Sequence, residues 1–152
     1  MKNKKFTLTE TYRIVKGITL YQIKAIRDFG DVKRNELGGF VEKEDNLCHL
    51  NNCWIYESSK VSGDAQVSGN AVIAGNAAIS GKAQVSGNAE LGGNAVINDH
   101  AKVCGNAQIK WAATISGNAV ITDDAVISGN AVITDNAQVS GTAQVSGDAV
   151  II

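Results

Sequence analysis

The sequence predicts an all-β fold, a parallel solenoid of short stacked strands with a small β-hairpin at its N-terminal end. Two observations carry the prediction. From residue 61 the chain runs in hexapeptides whose first residue is aliphatic (61, 67, 73, and so on to 145), and Ala stands four residues later every time. Hydrophobic residues make up 44% of the chain but aromatics only 5%, the profile of a core built from many small identical layers. An internal period of this length is the first feature to weigh in any sequence.

Each element of the repeat has a physical role. In the triplet A-x-V the Ala and the aliphatic side chain point to one side and the middle residue to the other, which is a three-residue strand. The intervening SGN, SGD or TDD is turn chemistry, because Gly, Asn and Asp tolerate positive φ. Strand plus turn, repeated with the same residues inward, closes into a triangular coil of three hexads. Coils then stack as parallel β with aliphatic and Ala ladders inside. IYESSK (55–60) adds a further hexad with Ser59 in the small slot, so that about five coils are expected.

With these residues in view, the [LIV]-x-x-x-[STAV]-x repeat resembles that of hexapeptide-repeat proteins, and the resemblance implies a left-handed parallel β-helix. The segment QIKAIRDFGDVKRNELGGFVEKEDNLCHLNNCWIYESSKVSGDA (22–65) further resembles the lead region of the YdcK-like subgroup, found in bacteria and their phages. The resemblance carries no activity that transfers residue by residue, and a fold of this kind hosts many activities. The division implied is an N-terminal β cap over 1–48 and the left-handed β-helix over 49–152.

In the cap, residues 6–27 read as a β-hairpin turning at Gly17, between RIVK and ITLYQIKAI. DFGDVK and ELGGF read as turns leading into the first coil, and Asp28-Phe29-Gly30 has none of the companions of a kinase motif. Trp54 is expected to point outward from the first coil and to be buried under the hairpin. Charge divides the chain in two. Residues 1–34 hold nine Lys/Arg against Glu10, Asp28 and Asp31, while the remainder holds five Lys against twelve acids. Basic residues interleaved with Tyr12, Tyr21 and Phe29 form a polyanion-binding pattern. A solvated charged cap is the simpler reading, and nucleic acid is not expected as a partner.

No apolar run approaches the roughly 18 residues of a membrane span, and the basic N-terminus lacks the apolar segment of a secretory signal. Cys48, Cys53 and Cys104 are odd in number and lack CxxC spacing, which argues against a disulfide framework or a zinc site. A cytoplasmic protein with reduced thiols, no metal and no cofactor is expected.

With three hexads to a coil, the outward strand residues fall into three stacks. One carries Gln66, Gln84, Lys102, Val120 and Gln138, and a second Val72, Glu90, Gln108, Val126 and Gln144. The third carries Ala78, Val96, Thr114, Val132 and Val150, with neither charge nor amide below Lys60. An apolar stripe on a flat surface marks an interface, and the resemblance implies a homotrimer packed side by side. The sequence runs in frame to Ile152 without a capping helix, so tail-to-tail pairing of trimers is a further expectation.

The stretch INDHAKVCGNAQIKWAAT (97–114) keeps the inward frame but changes its corners. Asp99 and His100 stand at the corner leaving the apolar stack, and Lys110 and Trp111 at the corner entering it. Cys104 lies on the remaining corner with no activating partner. In a side-by-side trimer these two corners of neighbouring subunits meet. Three readings stay open. The first is a non-enzymatic trimer holding a small anionic ligand or a protein partner, with Trp111 as a stacking platform and Asp99, His100 and Lys110 as polar contacts. A phage protein that sequesters a signalling nucleotide is one version of it. The second is a structural or assembly module. The third, by analogy with hexapeptide-repeat acyltransferases, uses acyl-coenzyme A with His100 as general base. Against it, such enzymes usually extend a loop and add a C-terminal element, and this sequence shows neither.

Overall fold

The computed structural model describes residues 3–56 and 58–152. The first two residues of the expected cap and Glu57 of the IYESSK hexad lie outside the described residues. Two strands, β1 (Phe6–Val15) and β2 (Ile18–Ala25), form the expected antiparallel hairpin, with Val15 opposite Ile18. Lys16 and Gly17, at φ 51° and 80°, make the turn between them. Two consecutive residues at positive φ match the right-handed twist of the flanking strands, which is why Gly occupies this loop.

ELGGF is not a turn. Leu37–Val41 is a strand, β3, antiparallel to β2 on one side and parallel to Lys60–Val61 on the other. Its glycines are explained by crowding. A Cβ on Gly38 would lie 2.6 Å from the Ile55 carbonyl and 2.7 Å from the Trp54 ring, and one on Gly39 would lie 2.5 Å from the Ser59 carbonyl. Two glycines in a row suggest a turn, but here they let a strand lie against the first coil. The DFGDVK piece does turn, with Phe29 and Val32 exchanging backbone hydrogen bonds of 3.0 and 2.8 Å.

After a short 3₁₀ turn (Glu44–Asn46) the chain enters a regular parallel solenoid, with one short strand per hexad from Trp54–Ile55 to Val150–Ile151. Each strand pairs with the one three hexads on, as Ala78 with Val96 and Val96 with Thr114. Three sheets result, of five, six and nine strands. The six-stranded sheet, headed by Trp54–Ile55, counts about six turns. The nine-stranded sheet is the apolar stack of the sequence, headed by the Lys60–Val61 strand and extended by β3, β2 and β1, so the hairpin continues that sheet. No helix among the described residues is long and apolar enough to cross a membrane.

The interior is a column of Ala and aliphatic side chains that runs unbroken into the cap. Ile73, Ile97, Ile109, Ile115, Ile121, Ile127 and Ile133 are fully buried, as are the Ala residues between them. Burying one such Ile contributes about 1.5–3 kcal/mol. Ser59 occupies the small slot of the first hexad and is buried, its hydroxyl donating to the Gly75 carbonyl at 3.1 Å. Trp54 points outward in register with Val72 and is nonetheless fully buried. Phe29 and Phe6 meet it edge-on, with ring centroids 5.3 and 6.5 Å away.

Candidate functional site

From Gly63 onward every corner of the solenoid is a tight turn whose middle residue adopts left-handed φ. At the corner entering the apolar face this residue is Gly75, Gly93, Trp111, Gly129 and Gly147 in successive coils, with φ between 60° and 68°. The turns stack so closely that a Cβ on Gly93 would lie 2.7 Å from the backbone of Trp111. Elsewhere the same slot accepts Asp at 99, 123 and 135, and the first two compensate locally. Asp99 Oδ2 accepts the Gly117 N–H at 3.0 Å and Asp123 Oδ2 accepts the Gly141 N–H at 2.9 Å, each across to the next coil. An indole has no acceptor for such a bond. Trp111 therefore holds a backbone conformation that disfavours an L side chain by about 1–2 kcal/mol, and its side chain is 70% exposed.

Two open wells flank this side chain. One, of about 540 Å³, is lined by the glycines of the column and by Asn76, Asn94, Ala112 and Asn130. The other, of about 570 Å³, lies over the six-stranded face between Val72, Glu90, Leu91, Gly92 and Lys110. Trp111 borders both. Of the residues singled out in the sequence, Trp111 and Lys110 thus share a site on one chain.

His100 and Asp99 stand at the opposite edge of the apolar face. His100 is exposed, and its backbone N–H donates to Gly117 O at 2.8 Å. The Asp99 carboxylate is engaged with the fold through Gly117. In the apolar stack Ala78, Val96, Thr114 and Val132 are half-buried and Val150 is exposed. The hairpin tip overhangs the upper end of this stack: Val15, Ile18 and Leu20 face Lys60, Ala78 and Ser80 across a groove of about 320 Å³.

Sequence reasoning passed over a second polar cluster beneath the cap. Lys5 is fully buried, and its ammonium donates to the carbonyls of Cys53 (2.7 Å), Asn51 (3.2 Å) and Leu50 (3.4 Å), with Cys53 Sγ at 3.3 Å. Burial lowers the Lys5 pKa, and the neighbouring Cys53 opposes that shift. Burial likewise raises the Cys53 thiol, against the pull of Lys5. His49 stacks on Phe6 at 4.3 Å. Its Nδ1 accepts the Lys5 backbone N–H at 3.2 Å, which leaves Nε2 to donate to Glu44 at 2.8 Å. The hydrogen bond from His49, then that from Lys4, holds the Glu44 carboxyl below its ordinary range. Each member of this cluster has an internal partner, and Lys5 in a KNKKF run gives no sequence signal of burial. All three cysteines are free thiols.

Solenoid coils of one hexad per side and an uninterrupted Ala/aliphatic core define a parallel β-solenoid. Its repeat is similar to that of YdcK. A family model described as the YdcK β-solenoid repeat matches residues 127–141. Over 47 residues the chain is 40% identical to the protein named uncharacterized acetyltransferase YdcK of Escherichia coli (strain K12). That stretch is 31% of this chain and spans 14% of the relative's length.

Proposed function

We propose that the protein is a non-enzymatic homotrimer that associates through the apolar face and holds a small ligand at the Trp111 corner. One observation carries the ligand reading. A large aromatic side chain stands exposed in a backbone slot that the other coils from residue 75 to 147 give to Gly, with no compensating hydrogen bond. Backbone strain of this kind persists where function retains it. The side-by-side trimer is supported by the continuity of Ala78, Val96, Thr114, Val132 and Val150 along one sheet, free of charge and amide groups. Such an arrangement has cyclic symmetry and places the two irregular corners of neighbouring subunits side by side. Light scattering tests the association: Val96→Lys with Val132→Lys is expected to give monomers, and an unchanged mass refutes the face as an interface.

An acyltransferase is the second reading, favoured by the name that the YdcK relative carries. There His100 would act as general base toward an acyl acceptor in the inter-subunit cleft. Turnover of acetyl-coenzyme A by the wild type and its loss in His100→Ala would establish that reading in place of the first.

A further inference from the structure

We propose that the ligand of the Trp111 corner is a neutral saccharide, one ring of which stacks on the indole. The inference rests on the ligand-binding reading above and names its chemical class. Three features of the corner argue for it.

The first is the aromatic surface itself. A pyranose presents a patch of polarised C–H bonds on one side of its ring, which suits the electron-rich face of an indole. It needs a shallow, open platform, and both wells beside Trp111 are open to solvent.

The second is an interrupted ladder of amides. At the neighbouring corner, Asn70 donates to Asn88, Asn88 to Asn106 and Asn106 to Asp124, at 3.3, 3.1 and 3.0 Å. The corresponding column beside Trp111 reads Asn76, Asn94, Ala112, Asn130 and Asp148. Ala112 cuts it. Below the cut Asn130 still donates to Asp148 at 3.2 Å. Above it, among the described residues, neither Asn76 nor Asn94 has a side-chain hydrogen bond. A free carboxamide offers a donor and an acceptor side by side, the complement of two adjacent hydroxyl groups.

The third is charge. The well over the six-stranded face holds one cation, Lys110, and one anion, Glu90. Phosphate sites draw on several cations or on free backbone N–H groups. Here the N–H groups of Asn76, Asn94 and Ala112 are already engaged with the carbonyls of Gly93, Trp111 and Gly129. The corner thus suits a hydroxyl-rich neutral ring better than a nucleotide.

The two tryptophans make the test direct. Trp54 is fully buried and Trp111 is 70% exposed, so acrylamide quenching of the folded protein reads Trp111. The probes are neutral di- to tetrasaccharides of glucose, galactose, mannose and N-acetylglucosamine, with adenosine and guanosine nucleotides in parallel, all at millimolar concentration. At least one saccharide is expected to shield the indole while the nucleotides do not. Asn94→Ala is expected to weaken that protection about three- to tenfold, the loss of one or two hydrogen bonds, with unchanged thermal stability. Protection by none of the saccharides overturns the proposal. Protection by a nucleotide alone overturns the class and leaves a ligand site standing. An indole already shielded in the free protein makes Trp111 a subunit contact and removes both readings.

Discussion

Val41 lies over Val61 in the same parallel register in which Val61 lies over Ile79. The second step spans the regular three hexads, and the first is longer by two. Leu47 bridges to Val67 with the same excess, whereas Ile55 pairs with Ile73 at the regular spacing. The two extra residues therefore fall between Leu47 and Ile55, in the segment whose carbonyls at 50, 51 and 53 the Lys5 ammonium gathers. Carbonyls of the solenoid accept from the coil before them, as Ala71 O accepts the Trp54 N–H; this loop has the cap before it instead of a coil, and a buried cation with three donors takes up its carbonyls.

Lys5→Met should therefore destabilise the protein although it removes a buried charge. The side chain is similar in length, but three carbonyls lose their donor. A loss of roughly 3 kcal/mol is expected in denaturant unfolding, together with faster labelling of Cys53 by a thiol reagent in the folded state. Unchanged stability would mean that water satisfies the loop without the lysine.

Gly39→Ala tests the close approach of β3. The added methyl would lie 2.5 Å from the Ser59 carbonyl and 2.6 Å from that of Tyr56, neither of which can retreat without moving the first coil. Overpacking of this kind costs typically about 1–3 kcal/mol. A thermal midpoint lowered accordingly, with Trp54 emission shifted toward that of exposed indole, is the expected result.

The Glu44 carboxyl gives the cap an acid sensitivity. Its pKa is lowered from the ordinary 4.5 by the hydrogen bond from His49 first and that from Lys4 next. The folded protein thus binds fewer protons here than the unfolded chain. The contribution is complete above pH 4.5 and is lost as pH falls through the lower, folded value. Because Glu44 is partly exposed, solvent screens the effect. Glu44→Gln should lower the neutral plateau of thermal midpoint against pH by that screened contribution, and so shallow the acid limb, while the most acid values stay nearly unchanged.

Trp111→Gly makes the column uniform glycine from Gly75 to Gly147. Relief of left-handed strain, about 1–2 kcal/mol, is offset in part by the freedom glycine adds to the unfolded chain. The thermal midpoint should hold or rise, measured by circular dichroism. Any loss of binding in this variant is then a loss of the site and not of the fold. A marked fall in midpoint would mean that the indole packs for stability.

Much of the solenoid is legible because its interactions are periodic. Each Ala and each aliphatic residue meets its equivalent three hexads on, so a six-residue pattern states the strand, the turn and the stacking together. The burial of Trp54 is readable too, since an aromatic residue in an outward slot at the open end of a core needs a cover. β3 is misread because Gly-Gly reports local freedom, while its cause is the approach of residues 54–59. Lys5 and His49 escape because their partners lie more than forty positions away, in the case of Lys5, or depend on a stacked ring, in the case of His49.

At the irregular coil, the sequence alone locates the corners of Asp99, His100, Lys110 and Trp111, because register along a solenoid is arithmetic. What each side chain does there is a tertiary matter. Asp99 and Trp111 occupy equivalent slots with nearly equal φ, 58° and 60°, yet the carboxylate turns along the surface to the Gly117 N–H of the next coil and the indole turns out to solvent. Hydrogen-bonding capacity separates them: an acceptor can be absorbed by the coil beneath it, and an indole cannot.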